Sequence, residues 1–181
     1  MFKIAIIIGS LRQASLNRKL AQAMIKLGHP SLDFSIATID DIPLYNQDLE
    51  TNLPSPVLRF KQEIRDADAV LWVTPEYNRS IPGVVKNVID WGTRPMGQTV
   101  WDGKLMASIG VSPGAIGTAV AQAHMRSIMV ALGAIFFARP EVYLVHQEGL
   151  ISDDFEITTP ATRDFLKKFI EQFAQNIEKH H

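Results

Sequence analysis

Cysteine is absent from the 181 residues. This excludes disulfides, thiolate-held zinc or iron–sulfur clusters, and a thiol nucleophile. An excess of charge is also missing. Lysine and arginine number 18 and aspartate and glutamate 19, for a formal net charge of −1. Such a surface offers no basic field for nucleic acid and no acidic tail. No apolar run approaches the ~18 residues of a membrane span. The opening MFKIAIIIGS has too short an apolar stretch for a signal peptide, and a polar loop follows at once. It reads as a buried strand, and a cytoplasmic location is expected. His29, His124 and His146 are scattered, without metal-ligand spacing. No G-x-S-x-G elbow marks a hydrolase. The terminal His180–His181 pair is given no function.

What is present reads as one domain over residues 1–181, 46% apolar and 20% charged. Lys3–Ile8 is apolar and β-branched after its lysine, as in a strand buried on both faces. Leu16, Leu20, Ala23, Met24 and Leu27 then fall at helical spacing, and Gly28 and Pro30 end that helix. Asp33–Ile39 alternates as a second strand. A loop runs from Pro43 to Pro56, and Ser55 is the expected cap of a helix facing inward through Val57, Phe60, Ile64 and Ala67. Ala69–Thr74 is strand three, followed by a helix with Val84, Val85, Val88 and Ile89 inward. Leu105–Val111 is strand four, with a long helix to Leu132 after it. Strand five starts at Ala134–Ala138 and resumes with VYLV beyond Pro140. The last helix begins at Thr159–Pro160 and carries Phe165, Phe169, Phe173 and Ile177 as its stripe. Five alternations of strand and helix predict a doubly wound α/β fold: a flavodoxin-like three-layer sandwich with a five-stranded parallel sheet of order 2-1-3-4-5.

In such a sheet, ligands bind beyond the carboxyl ends of the strands. Three unusual loops stand there, after strands one, three and four, and that order makes them neighbours. The first, GSLRQASLNR, offers Ser10, Ser15 and Asn17 as hydrogen-bonding side chains and the guanidinium of Arg12 as a charged fork, with Arg18 a second arginine. With a helix N-terminus behind them they suit a phosphate monoester. Ser15 alone would also serve as a plain helix cap. The second loop, TPEYNRSIPG, holds Tyr77 between Glu76 and Asn78, stiffened by Pro75 and Pro82. A rigid tyrosine with nearby amides suits the edge of a flat ring, and a turn with a surface-packed tyrosine is the plainer alternative. Glu76 is expected to be solvated or paired with Arg79. The third loop, SPGAIGT, has glycines that let the backbone approach a ligand closely. The YNQDLE loop after strand two either covers the same crevice, contacts a partner subunit or is simply exposed. With no nucleophile or metal set in view, chemistry carried by a bound cofactor fits these features.

GSLRQASLNRKLA followed by PEYNRSIPGVVKNVIDW resembles the NADPH-dependent FMN reductase family of flavodoxin-like proteins, in its branch of chromate, quinone and azo reductases. The resemblance covers nearly the whole chain. It implies non-covalent FMN, with Ser10, Arg12, Ser15, Leu16 and Asn17 at the phosphate. It places Pro75, Glu76, Tyr77 and Asn78 along the isoalloxazine ring, and Ser112, Pro113, Gly114 and Gly117 by its pyrimidine side. Lys86, Asn87, Asp90 and Trp91 are read as structural. The family often has two adjacent glycines where this chain has Gly117–Thr118. The implied reaction is ping-pong: NADPH or NADH reduces the flavin by hydride transfer, and a quinone, flavin, azo dye or metal oxyanion takes two electrons from the same face. No catalytic acid or base is expected. Arg79 and Arg94 are the candidates for a 2′-phosphate. A homodimer or homotetramer is implied, with Trp91, Met96 and Trp101 either at the subunit contact or packed inside their own subunit. An FMN electron carrier, a redox-sensing module and a sugar-phosphate or nucleotide binder are the competing readings.

Overall fold

The computed structural model describes residues 1–180. Five strand positions form one parallel sheet, in the order β2 (Leu32–Ile36), β1 (Phe2–Ile8), β3 (Ala69–Val73), β4 (Leu105–Ser112) and a fifth position. That fifth position is split. β5 (Ile135–Phe136) pairs with the start of β4, and β6 (Val142–Val145) pairs with its end. Pro140 lies in the interruption, where a residue without an N–H cannot serve an inner ladder. β3 and β4 are buried along their whole length, which is why both read as unbroken apolar runs.

α1 (Leu16–Leu27) and α5 (Pro160–His180) cover one face of the sheet. α2 (Ser55–Asp66), α3 (Gly83–Thr93) and α4 (Ala119–Ala131) cover the other. Two apolar cores result. The first joins Ile4, Ile6 and Ile8 to Leu20, Met24, Phe169 and Phe173. The second joins Ile7, Val70 and Trp72 to Phe60, Val88, Trp91, Trp101 and Met125. The alternation of β1 side chains between the two cores follows from the strand's period of two.

Several expectations shift in detail. Strand two ends at Ile36, although Ala37 N–H still donates to Ile6 at 2.9 Å. Ser55 is the first helical residue of α2, not its cap. Pro54 holds the cap position without a side-chain hydrogen bond. The buried stripe of α5 runs through Leu166, Phe169, Ile170, Phe173, Ala174 and Ile177, with Phe165 at its margin. Trp91 and Trp101 are fully buried within their own chain, while Met96 is 83% exposed.

Candidate functional site

The first loop leaves β1 at Gly9 and enters α1 through Ser15. The Ser15 hydroxyl oxygen accepts the Arg18 N–H at 3.3 Å and so is the helix cap. Ser10 accepts the Arg12 N–H at 3.4 Å. Both serines are 4% exposed, so the loop is held from beneath. The N–H groups of Leu16 and Asn17, at the start of the helix, have no partner within it. The Asn17 side chain turns inward. Its amide donates to the Val111 carbonyl at 2.9 Å and accepts the Val111 N–H at 3.0 Å, tying α1 to the end of β4. Its direct part is therefore to anchor the loop. Arg12 and Arg18 are exposed, and among the described residues neither has an ion-pair partner. Arg18, outside the expected set, lines a crevice of about 220 Å³ with Ser10, Leu11 and residues 36–40 at the end of β2. Its position three residues past the cap, facing the neighbouring strand, is a register signal that the sequence carries.

The second and third loops share a cleft of about 440 Å³. Glu76, Asn78 and Arg79 form one wall, and residues 112–117 form the other. Tyr77 and Ser80 exchange two backbone hydrogen bonds at 3.0 Å. Between them Asn78 and Arg79 have φ of +51° and +62°, a two-residue turn with both central residues in the left-handed region. Asparagine tolerates that region, whereas for arginine it is uncommon, and such backbone recurs at functional sites. Tyr77 is 49% exposed. Pro75 is buried, and its carbonyl accepts the Thr74 hydroxyl at 2.9 Å. Glu76 has the expected Arg79 partner and a second engagement that the sequence did not announce. One of its carboxylate oxygens accepts the N–H groups of Val120 and Ala121, both at 3.0 Å, at the start of α4. Arg79 stands 3.9 Å from the other.

In the third loop the Ser112 hydroxyl donates to the Gly117 carbonyl at 2.5 Å. Gly117 has φ of +62° and lies against the Tyr143 backbone. Thr118, in the place of a second glycine, is fully buried, and its hydroxyl accepts the Gln122 amide at 2.8 Å. Pro113, Gly114, Ala115 and Ile116 are exposed along the rim. Sequence reading passed over Gly110, which these loops require. A Cβ there would collide with the Thr74 carbonyl and the Thr118 hydroxyl.

The YNQDLE loop folds onto α3. Asn87 accepts the Tyr45 N–H at 2.7 Å and donates to Pro43 at 2.9 Å, and the Trp91 indole donates to the same carbonyl at 2.8 Å. Lys86 pairs with Asp90 at 2.6 Å on the outer side of the helix. These contacts give the K-N-x-x-D-W residues the structural part expected of them. Arg94 clasps Glu50 at 2.6 and 3.1 Å, and the Tyr45 hydroxyl donates to Glu50 at 2.5 Å. Arg94, and then Tyr45, hold the Glu50 carboxyl below its ordinary range. Of the two arginines weighed for a 2′-phosphate, Arg94 is thus clasped by Glu50, while Arg79 makes only a long, exposed ion pair with Glu76 at the cleft. Among the described residues no group of three or more His, Asp or Glu is placed to hold a metal, and no helix is long and apolar enough to cross a membrane.

A loop rich in hydroxyl and guanidinium groups after β1, and a cleft between the loops after β3 and β4, stand at the carboxyl edge of a flavodoxin-like sheet. The chain belongs to the NADPH-dependent FMN reductase family, which it matches over residues 2–149. It is 46% identical over 172 residues to a 2-hydroxy-1,4-benzoquinone reductase of a Burkholderia species, covering 95% of this chain and 94% of that one. A quinone reductase of Pseudomonas putida is 46% identical over 175 residues, covering 96% and 94%. The solved structure of FerB, a flavoenzyme NAD(P)H:(acceptor) oxidoreductase of Paracoccus denitrificans, superposes with a TM-score of 0.95 at 44% identity, over 99% of both chains. The protein is an oxidoreductase with FMN as cofactor and NAD(P)H as electron donor.

Proposed function

We propose that the protein is a quinone reductase working by a ping-pong cycle, in which NAD(P)H and then the acceptor use one open cleft in turn. The observation that carries this reading is the placement of the phosphate-type loop and the two-loop cleft on the adjacent strands β1, β3 and β4. The residues fit FMN. Two unpaired guanidiniums and the free amides of the first turn of α1 complement a dianionic phosphate, and the cleft walls are mostly backbone and small side chains. Arg12 binds the phosphate, with Ser10, Ser15 and Leu16 shaping the loop and Asn17 anchoring it. Pro75, Glu76, Tyr77 and Asn78 line one side of the ring, and Ser112, Pro113, Gly114 and Gly117 line the other. Bound FMN supplies the two-electron chemistry. The chain orients it and keeps the second side of the cleft open to small molecules.

Quinones are the acceptors favoured by the names of the relatives. Flavins, azo compounds and metal oxyanions follow from the same open cleft. A cytoplasmic homodimer or homotetramer belongs to this reading. Met96, weighed for the subunit contact, is 83% exposed and so is accessible to a partner.

The test is a visible spectrum of the protein reconstituted with FMN. NADPH added without oxygen should bleach the flavin band, and benzoquinone should restore it. A band that stays with both NADPH and NADH would make the protein a carrier or sensor instead. Light scattering reports the oligomer, and a monomer at micromolar concentration would remove that part.

A further inference from the structure

Glu76 lies 44 residues before Val120 in the chain, yet its carboxylate accepts the N–H groups of Val120 and Ala121 at 3.0 Å each. Thr118, the helix's own cap residue, makes no side-chain cap bond, and its hydroxyl serves Gln122 instead. Two donors that every helix start leaves open are therefore satisfied from a different loop. The Glu76 side chain is 9% exposed. Its remaining oxygen has Arg79 at 3.9 Å, and that side chain is 66% exposed and screens it weakly. Glu76 also lines the cleft opposite residues 112–117, whose far end leads into α4.

Two consequences follow from this one carboxylate. It joins the two walls of the cleft, since moving one loop breaks its bonds to the helix behind the other. It also opposes the local field. A helix N-terminus presents about half a positive charge, and the carboxylate bound to it offsets that charge at the cleft wall, with Arg79 pairing it only from the exposed lip. We propose that Glu76 is a positioning residue that locks the two cleft walls together and disfavours reduced relative to oxidised FMN there. The proposal rests on FMN occupying the cleft. Reduced flavin gathers negative charge on the ring, so a nearby carboxylate opposes it and keeps the reduced cofactor a ready electron donor.

Three variants separate the two roles. Glu76→Gln keeps an accepting oxygen and loses the charge. Glu76→Asp keeps the charge and is too short to reach both amides. Glu76→Ala loses both. Amide hydrogen exchange at Val120 and Ala121 in the FMN-free protein reads the tie. Dissociation constants of oxidised and anaerobically reduced FMN read the field. For Glu76→Gln, exchange should stay near wild type, while reduced FMN should bind roughly tenfold tighter relative to oxidised FMN, a shift of about 30 mV to more positive potential. For Glu76→Asp and Glu76→Ala, exchange at the two amides should quicken by about tenfold or more, the scale of one lost charge-assisted hydrogen bond. Both variants should bind oxidised FMN more weakly, and only Glu76→Ala should also shift the ratio. Slow exchange persisting in Glu76→Ala would overturn the tie. An unchanged ratio in Glu76→Gln would overturn the electrostatic role. If wild type itself bound no FMN, the reading of the cleft would fall, and the electrostatic role with it, while the exchange data would still decide the tie.

Discussion

Arg12, Arg79 and Arg94 carry the same guanidinium into three different situations. Arg94 is clasped by Glu50 at 2.6 and 3.1 Å and buttresses the loop over α3. Arg79 is held at the lip of the cleft by a backbone conformation unusual for its type. The Arg12 side chain has no ion-pair partner among the described residues and stands in the loop that suits a phosphate. Arg12→Ala is therefore expected to weaken FMN binding by about 1.5–3 kcal/mol, the range for a hydrogen bond to a charged group. A fluorescence titration of FMN checks this, and an unchanged dissociation constant would remove Arg12 from the phosphate. Asn17 teaches the opposite lesson. Its type and position suit a ligand contact, but its amide is engaged with Val111, 94 residues away. No local pattern announces a partner at that distance.

At the scale of elements, α3 organises its surroundings through Asn87 and Trp91, which both reach Pro43. Asn87→Ala would leave the Tyr45 N–H without its acceptor in a nearly closed environment. The expected loss is about 1–3 kcal/mol of stability, the cost of one unsatisfied buried group, seen as a lower urea midpoint. A midpoint equal to wild type would mean that water replaces the side chain there. Gly110 is the matching case on β4. Gly110→Ala would push into Thr74 and Thr118, spreading the loops after β3 and β4. Reduced thermal stability together with weaker FMN binding is expected, and loss of stability with full FMN affinity would show that the loops are independent of that packing.

Across the whole molecule, one buried charge stands out. Lys61 is 1% exposed on α2, and its ammonium, with three N–H donors, is surrounded within hydrogen-bond reach by the carbonyls of Trp91, Gly92, Arg94 and Gln98. Burial, with help from the nearby Arg65 charge, lowers its pKa to about 8. The unfolded chain, with an ordinary lysine, binds more protons than the folded one above that pH. Stability should therefore rise as pH climbs from about 8 toward 10, the window between the lowered and the ordinary pKa. Lys104, also lowered by burial, adds in the same direction. Urea unfolding at pH 7.5, 8.5 and 9.5 should show the rise, and Lys61→Met should flatten it. An equal slope in that variant would assign the effect elsewhere. The sequence held the signal, since Lys61 falls in step with Val57, Phe60 and Ile64 on the inward face of α2.

Periodicity determined the alternation of strands and helices and the positions of the three unusual loops, and the count of strands pointed to the sheet order that the pairings then showed. Each rests on local chemistry: β-branched runs buried on both faces, helical stripes, and glycine or proline where the chain turns. The family, too, was legible in two short motifs. Tertiary structure decided what each polar side chain faces. It gave Glu76 to the start of α4, Asn17 to β4, Arg94 to Glu50, and Lys61 to the carbonyls at the end of α3. It also settled that Trp91 and Trp101 pack inside their own chain. These outcomes depend on contacts between segments distant in sequence. A buried donor or acceptor must find a partner wherever the fold brings one, and that partner is set by how the elements pack, not by its neighbours along the chain.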